Sequence, residues 1–471
     1  MTTRREFLTR AFSSSVVLLA AACGPSATQP APTSAPGAAP TSAPAAKPTT
    51  PPAAGAATSA PQPTAAAKTT APANISGANV SLLQWNHFIP TADPFFKQQA
   101  EDWGKQTSVN ITVETINAND LVPRFTAAIQ GQSGPTVFQM QYLAPHSFAE
   151  GLYDLTDLAK ETESKFGNFY DQVNTSAMVE GKYRGVPYAI FGNAVVYRKD
   201  YFQQAGAKVP ESWDDFHDAV KKLAAINKPI GQTFAQTFGD APTFFYPLMW
   251  SYGGKEVQDD GKTIAINSKE TEAAIEYVRS LYNDAMDPAV LSWDNASNNQ
   301  WLNSGKGSWI HNPISHYVVA KEKKLPVAEL TGFHPSPAGP AGRHTVGVPR
   351  GLGIWKFSKN IDAAKDFLKW FFEPAQYHEW IMSGDNYNHP IWRDMENHPV
   401  WDVDPKYRPL KTIAQYSHLY GWPAPGDERI QVITNSYIIP NMFAKVVTSA
   451  LSPKDAMLWA ETEIKRVFAT R

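Results

Sequence analysis

Cysteine is nearly missing from this 471-residue chain, since Cys23 is the only one. No intramolecular disulfide can form, and no cysteine metal cluster can be built. An excess of either charge is missing too, with 42 Lys and Arg against 44 Asp and Glu for a formal net charge of −2. That balance lacks the electrostatic footprint of a nucleic-acid binder. Familiar catalytic signatures are also wanting. Residues 303–308 (Asn-Ser-Gly-Lys-Gly-Ser) contain a Gly-Lys pair without the spacing or following hydroxyl of a phosphate loop. No Gly-x-Ser-x-Gly elbow occurs, and His378-Glu379 has no second histidine one helical turn on. His311 and His316 stand five apart, a poor spacing for joint ligation from one helix face. No metal and no cofactor is expected. A pair of glycosidase carboxylates stays open, because two such acids need not be neighbours in sequence.

Acids and aromatics are absent from residues 24–73, which are Ala, Pro, Thr, Ser and Gly with a few Lys and Gln. Such a stretch cannot bury enough apolar surface to offset its ordering entropy, and its prolines favour extended, solvated chain. Residues 24–78 are therefore read as a disordered linker. Ahead of it, residues 1–23 run from basic, through apolar, to small residues before Cys23, the order of an export signal. The apolar run falls short of the roughly 20 residues that span a bilayer. Thr3-Arg4-Arg5-Glu6-Phe7-Leu8 resembles a twin-arginine export motif, and Leu19-Ala20-Ala21-Ala22-Cys23 resembles a bacterial lipobox, with Ala20 where leucine is usual. Cys23 is the expected lipid-attachment residue, holding the protein on the outer face of the cell membrane.

From residue 79 the chain alternates strand and helix. Residues 80–85 form an apolar run, and Asp93 with Pro94 reads as a helix start. Phe96, Ala100 and Trp103 share one face of the helix that follows. Residues 109–113 alternate as a strand, a helix from about residue 120 carries Leu121, Phe125 and Ile129, and residues 136–140 form a third strand. This is a βαβαβ unit. Further on, Ser212, Asn360 and Ser452 stand where helix caps belong, before stripes such as Trp213, Phe216, Val220 and Leu223. The fold class is α/β, with two lobes each built on a mostly parallel sheet flanked by helices.

Polar and aromatic residues gather at the ends of these strands, where open α/β sheets bind ligands. Trp85 and His87 follow the first strand; Gln139, Gln141 and Tyr142 follow the third. Saccharides need this mixture. A sugar ring offers an apolar C–H face to an aromatic ring, while its hydroxyls both give and take hydrogen bonds, as neutral amides do.

One stretch is odd. Residues 185–206, Gly-Val-Pro-Tyr-Ala-Ile-Phe-Gly-Asn-Ala-Val-Val-Tyr-Arg-Lys-Asp-Tyr-Phe-Gln-Gln-Ala-Gly, read as one buried strand broken by Gly192 and Asn193. The stretch resembles the crossing segment of the extracellular solute-binding proteins, family 1, of ABC importers, which include maltose-binding protein. Arg198 replaces the usual asparagine. Residues 209–223 are similar to the helix that follows, and residues 301–313 to the family's Phe-x-x-Gly-Lys-Ala-Ala-Met segment, with Trp301 as the aromatic. Residues 334–374 resemble its return strand and helix. Residues 134–140 depart from the pattern, having Thr136 where an acid is common. Coverage runs from about residue 80 to the C-terminus.

The resemblance implies a two-lobe periplasmic-binding-protein type II fold joined by hinge crossings. It divides the chain into residues 79–190 with 340–395 as one lobe and 191–339 with 396–471 as the other. It implies crossings near residues 187–193 and again around His344 and Pro390, with Gly192 permitting a local backbone change and Asn193 facing the cleft. Trp85, Gln139, Gln141, Asn312 and Tyr387 become candidate contacts, Trp250 a stacking platform from the second lobe, and Arg350 a reader of carboxylate or phosphate. The implied function is capture of a sugar or oligosaccharide by hinge closure and delivery to the membrane subunits of an ABC permease. A monomer without enzymatic activity is expected. A polyamine, phosphate ester or organic acid in the same fold, or a lipid-anchored carbohydrate-active enzyme, remains the alternative.

Overall fold

The computed structural model describes residues 75–470. The expected signal, Cys23 and nearly all of the linker lie outside them. Residues 75–78, assigned to the linker from composition, already belong to the folded body. Ile75 is buried, Gly77 N donates to Ser108 O at 2.7 Å, and Asn110 N donates to Ala78 O at 2.8 Å.

β1 (Asn79–Trp85), β2 (Asn110–Ile116) and β3 (Val137–Gln141) are parallel, and β1 lies between the other two. The intervening helices, Ala92–Thr107 and Leu121–Gly131, bury the faces their spacing predicts, including Phe96, Ala100 and Trp103 on the first. Asp93 is not the cap of that helix, which begins at Ala92 after Thr91. Its carboxylate instead accepts from His87 N at 2.9 Å and from Gln84 Nε2 at 3.1 Å, clamping the loop after β1.

A hairpin of β4 (Met178–Val179) and β5 (Lys182–Tyr183) leads into β6 (Val186–Gly192), and β7 (Ala194–Arg198) follows at once. The remaining strands are β8 (Trp309–Asn312), β9 (Thr331–His334), β10 (Thr345–Ile354) and β11 (Ser417–His418). β10 runs antiparallel to β3 and β6 and carries β11 alongside, completing the first sheet. The second sheet is β8-β7-β9, and both its pairings are antiparallel, not mostly parallel as expected. Strand–helix alternation predicts parallel neighbours only when one crossover returns the chain to the same sheet end. Here several helices separate β7 from β8, and β9 pairs with β7 across from β8, so β7 opposes both.

Helix starts follow local chemistry where the side chain is free to act. Ser212 and Asp215 make a reciprocal capping box before helix Trp213–Ala225. Ser452 Oγ accepts from Asp455 N at 3.2 Å before helix Pro453–Thr470. Asn360 does not cap; its Nδ2 donates to Asn79 O at 2.7 Å and ties its helix to β1. All tryptophans except Trp422 and Trp459 are buried, so most of them serve the cores.

Between β6 in the first sheet and β7 in the second stands Asn193 alone. Gly192 has no left-handed backbone there. A Cβ on it would lie 2.4 Å from Ile413 Cγ2, and one on its register partner Gly347 would lie 2.6 Å from Ile190 Cδ1 and 2.7 Å from Ser417 Oγ. These glycines are required by close approach of chain segments, not by conformational freedom. The expected role of Gly192 is corrected accordingly.

Burial pushes His311, His316, His334 and His389 down to about 3. A histidine that is neutral when folded but titrates near 6.5 when unfolded contributes stability that is complete above pH 6.5. That contribution is lost as the pH falls toward about 3, by up to roughly 1.4 kcal/mol per pH unit for each group. Urea unfolding followed by tryptophan fluorescence is expected to show a midpoint that drops steeply below about pH 6.5. A flat profile down to about pH 5 would mean that these imidazoles reach solvent in the native state.

Candidate functional site

A cavity of about 420 Å³, its opening included, lies where the two sheets meet. From the first lobe it is lined by Trp85, Phe88, Gln141, Tyr142, Phe191 and Tyr387, with Asn193 at the boundary. Phe238, Asp240, Thr243, Asn295, Asn312 and Ser315 line it from the second. Trp85 and Gln141 end β1 and β3, so the parallel unit delivers both to one sheet edge. The rings of Trp85 and Phe191 stack at 6.0 Å, and those of Phe191 and Tyr387 at 5.8 Å, forming an aromatic wall. These rings crowd the cavity.

The lobes also touch directly. Tyr142 Oη donates to Phe238 O at 3.3 Å, Leu143 N donates to Gln431 Oε1 at 2.7 Å, and Lys321 Nζ lies 2.7 Å from Asp385 Oδ2. Each bond joins a segment beside the first sheet to one packed on the second.

Polar groups on the two walls differ in how well they are satisfied. On the second lobe Asn298 Nδ2 donates to Asp240 Oδ2 at 2.6 Å and to Asn312 Oδ1 at 3.2 Å. Asn312 Nδ2 in turn donates to Asn299 Oδ1 at 2.6 Å and to Ser315 Oγ at 3.3 Å. On the first lobe, both amide atoms of Gln141 and the Trp85 Nε1 lack partners among the described residues, as do the amides of Asn386 and Asn388, which flank Tyr387 in the chain but do not line the cavity. Buried polar groups without partners are rare, and a ligand's hydroxyls are one remedy for them.

The candidates named from sequence sort as follows. Trp85, Gln141, Tyr142, Asn193, Asn312 and Tyr387 converge on the cavity. Asn193 also makes a long 3.5 Å bond to Val346 O. Gln139 does not line the cavity; its Oε1 accepts from Trp85 N at 3.2 Å and so sets the position of that ring. His87 lies behind the wall. Its Nδ1 is 2.5 Å from Asp93 Oδ1, and its Nε2 is 2.7 Å from Arg350 Nη1. A guanidinium only donates, so Nε2 must accept and the proton sits on Nδ1, facing the carboxylate. Burial lowers the His87 pKa, only partly offset by the bond to Asp93, in keeping with this neutral tautomer.

Arg350 is fully buried behind Phe191, Trp85 and Tyr387, with its guanidinium carbon 4.4, 4.8 and 5.7 Å from the three ring centres. Trp250 is not a platform. It is 1% exposed and packs against Tyr246, His418 and Trp422. Its helix, Asp240–Ser251, is buried all round and points its N-terminus at the cavity. Trp250 sits ten residues further on, about 15 Å along the axis.

Sequence reasoning missed Asp240 and Asn295, which line the cavity, and Asn298, which bonds Asp240 and Asn312 behind it. The amide-rich run Asn295-Ala296-Ser297-Asn298-Asn299 is a visible signal; nothing local distinguishes Asp240. A larger groove of about 1120 Å³ flanks β11, but it lacks buried, unpartnered side chains, and Gln172 Nε2 there is bonded to Ala414 O and Ser417 Oγ.

Asp240 is buried without a cationic partner among the described residues, and desolvation, reinforced by Asp294, pushes its pKa well up despite the bond from Asn298. A raised carboxyl contributes stability at low pH that is lost as the pH rises toward its folded-state pKa. Asp240→Asn keeps an acceptor for Asn298 and removes the charge. It is expected to raise stability by about 0.5–2 kcal/mol near pH 8, with a smaller gain near pH 5, in urea unfolding. Destabilisation at both pH values would show that the carboxylate is well solvated.

The family model described as bacterial extracellular solute-binding protein matches residues 90–378. A binding protein of Brucella abortus is 28% identical over 219 residues, 44% of this chain and 51% of its own length. The match thus spans about half the length of that relative. The diacetylchitobiose binding protein DasA of Streptomyces coelicolor is 26% identical over 311 residues, 62% of this chain and 69% of its own. In fold, the chain is similar to a sugar transporter protein of Arthrobacter chlorophenolicus solved with laminaribiose. The TM-score is 0.72 at 18% identity, over 83% of this chain and 99% of that one. With two sheets joined by crossings around an aromatic, amide-lined cavity, this chain belongs to the bacterial extracellular solute-binding proteins.

Proposed function

We propose that this protein captures a saccharide between its lobes outside the cytoplasm and hands it unchanged to the membrane subunits of an ABC importer. The observation that carries the reading is the cavity wall. Stacked rings of Trp85, Phe191 and Tyr387 adjoin the Gln141 amide, whose donor and acceptor have no partner among the described residues. The relatives' names point the same way, one to diacetylchitobiose and one to laminaribiose. Cys23 would carry the lipid that holds the body at the membrane, and residues 24–74 would be the tether.

The mechanism is a population shift. Ligand contacts the first lobe through Trp85 and Gln141 and the second through Asp240 and Asn312, so only the closed arrangement satisfies both sets. A ligand can move the lobes only by the difference in its affinity for the two arrangements. Shifting the open form from 99:1 to 1:99 needs about 5.5 kcal/mol, within reach of several hydrogen bonds and one stacked ring. Rocking happens at the crossings, where Thr345 Oγ1 bonds Asn193 O at 3.0 Å and β10 pairs with β11.

Two measurements test this. Small-angle scattering on the full chain is expected to show a smaller radius of gyration when the matching di- or oligosaccharide is added. No compaction and no heat of binding across a broad saccharide panel would refute the reading. Trp85→Ala should weaken saccharide binding about tenfold or more, equivalent to about 1.4 kcal/mol, while leaving the unliganded scattering curve unchanged.

A further inference from the structure

Arg350 and Gln141 are register partners on the antiparallel strands β10 and β3. Side chains of directly opposed residues leave a sheet on the same face, with Cβ atoms about 5 Å apart. Gln141 lines the cavity, so Arg350 belongs to the same face and lies one ring's thickness behind the Phe191 wall. Nη1 donates to His87 Nε2, and the Tyr188 and Tyr387 hydroxyls, neutral and long of ordinary hydrogen-bond distance, are the polar groups that stand beside the rest of the guanidinium. Nε and Nη2 are buried and have no hydrogen-bond partner among the described residues.

The Nε–Nη2 edge is the one that this protein uses elsewhere to hold a carboxylate. Arg198 binds Asp200 through Nε at 2.9 Å and Nη2 at 2.7 Å, and Arg429 binds Asp427 through the same two atoms at the same distances. In Arg350 the edge faces no acid. The nearest carboxylate in its network is Asp93, one imidazole away. A buried guanidinium whose fork lacks an oxyanion is an expensive arrangement unless an oxyanion arrives with the ligand. The cation also makes the far faces of the aromatic wall less welcoming to a second positive charge.

We infer that the bound saccharide carries a carboxylate, as a uronic acid does, and that Arg350 is the residue that reads it through its Nε–Nη2 edge. This rests on the saccharide reading above. The acid group seats on the floor beside Gln141, while its hydroxyls reach Asn312 and Asp240 across the cleft. Phe191 or Tyr387 must shift when the lobes part, to let the oxyanion reach the guanidinium.

Isothermal titration calorimetry of the full chain tests it with paired probes. Uronate disaccharides of the gluco, galacto and manno series are titrated beside their neutral counterparts and beside sugar phosphates. At least one uronate is expected to bind ten times more tightly than its neutral partner. In Arg350→Gln that ratio should fall to near one. Arg350→Lys keeps charge without the planar fork and should lose most of the preference. A wild-type chain that binds neutral disaccharides as well as or better than every uronate overturns the inference and leaves the saccharide reading standing. Tightest binding of a sugar phosphate overturns the carboxylate assignment, and no binding by any probe overturns both readings. Should neither variant fold, the wild-type ratio and its decline on raising the salt concentration decide the matter.

Discussion

Close approach of three backbone segments governs this molecule. β6 reaches Gly192 beside Gly347 of β10, and Thr345 two residues before stands beside Ser417 of β11. Side chains on either glycine would collide with Ile413, Ile190 or Ser417, so the segments touch only because Cβ atoms are absent. Every route from one sheet to the other passes through this narrow place. It fixes Asn193 at the boundary and sets the aromatic wall on the β6 side, with the polar groove on the β11 side. The lobes also meet through apolar contacts beside this place, with the ring of Tyr142 5.2 Å from that of Phe238 and 5.0 Å from that of Tyr420.

The walls of the cleft are built on different terms. In the second lobe Asp240, Asn298, Asn299, Asn312 and Ser315 bond one another, so that wall is stiff and largely complete on its own. In the first lobe Gln141 keeps a donor and an acceptor, and Arg350 behind it keeps donors, that no described residue meets within ordinary hydrogen-bond distance. Native proteins hold such groups where function demands them, at some loss of stability. Unmet hydrogen-bonding capacity around the cavity is therefore concentrated on the first lobe.

Charge follows the same division. The relay Asp93–His87–Arg350 runs beneath the aromatic wall, with a neutral imidazole between carboxylate and guanidinium. Asp240 faces it from the other lobe, its protonated form favoured by burial. A cation thus lies buried behind one wall, while the other carries a carboxyl whose pKa burial raises.

Periodicity and turn chemistry made the βαβαβ unit, the caps at Ser212 and Ser452, and the helix stripes legible, because each depends on residues a few positions apart. The break at Gly192 and Asn193 was legible as a break, yet its cause was not, since Ile413 lies far along the chain. Trp250 misled because an indole looks the same whether it stacks on a sugar or fills a core, and only an all-round buried helix decides between them. Strand direction in the second sheet, the role of Asp93 and the partners of Arg350 likewise depended on distant segments. The sequence by itself determined the class of fold, the polar and aromatic residue types at the strand ends, and the family. Only the tertiary structure decided which of those side chains share a cavity and which polar atoms lack partners, because hydrogen-bond satisfaction belongs to space and not to spacing.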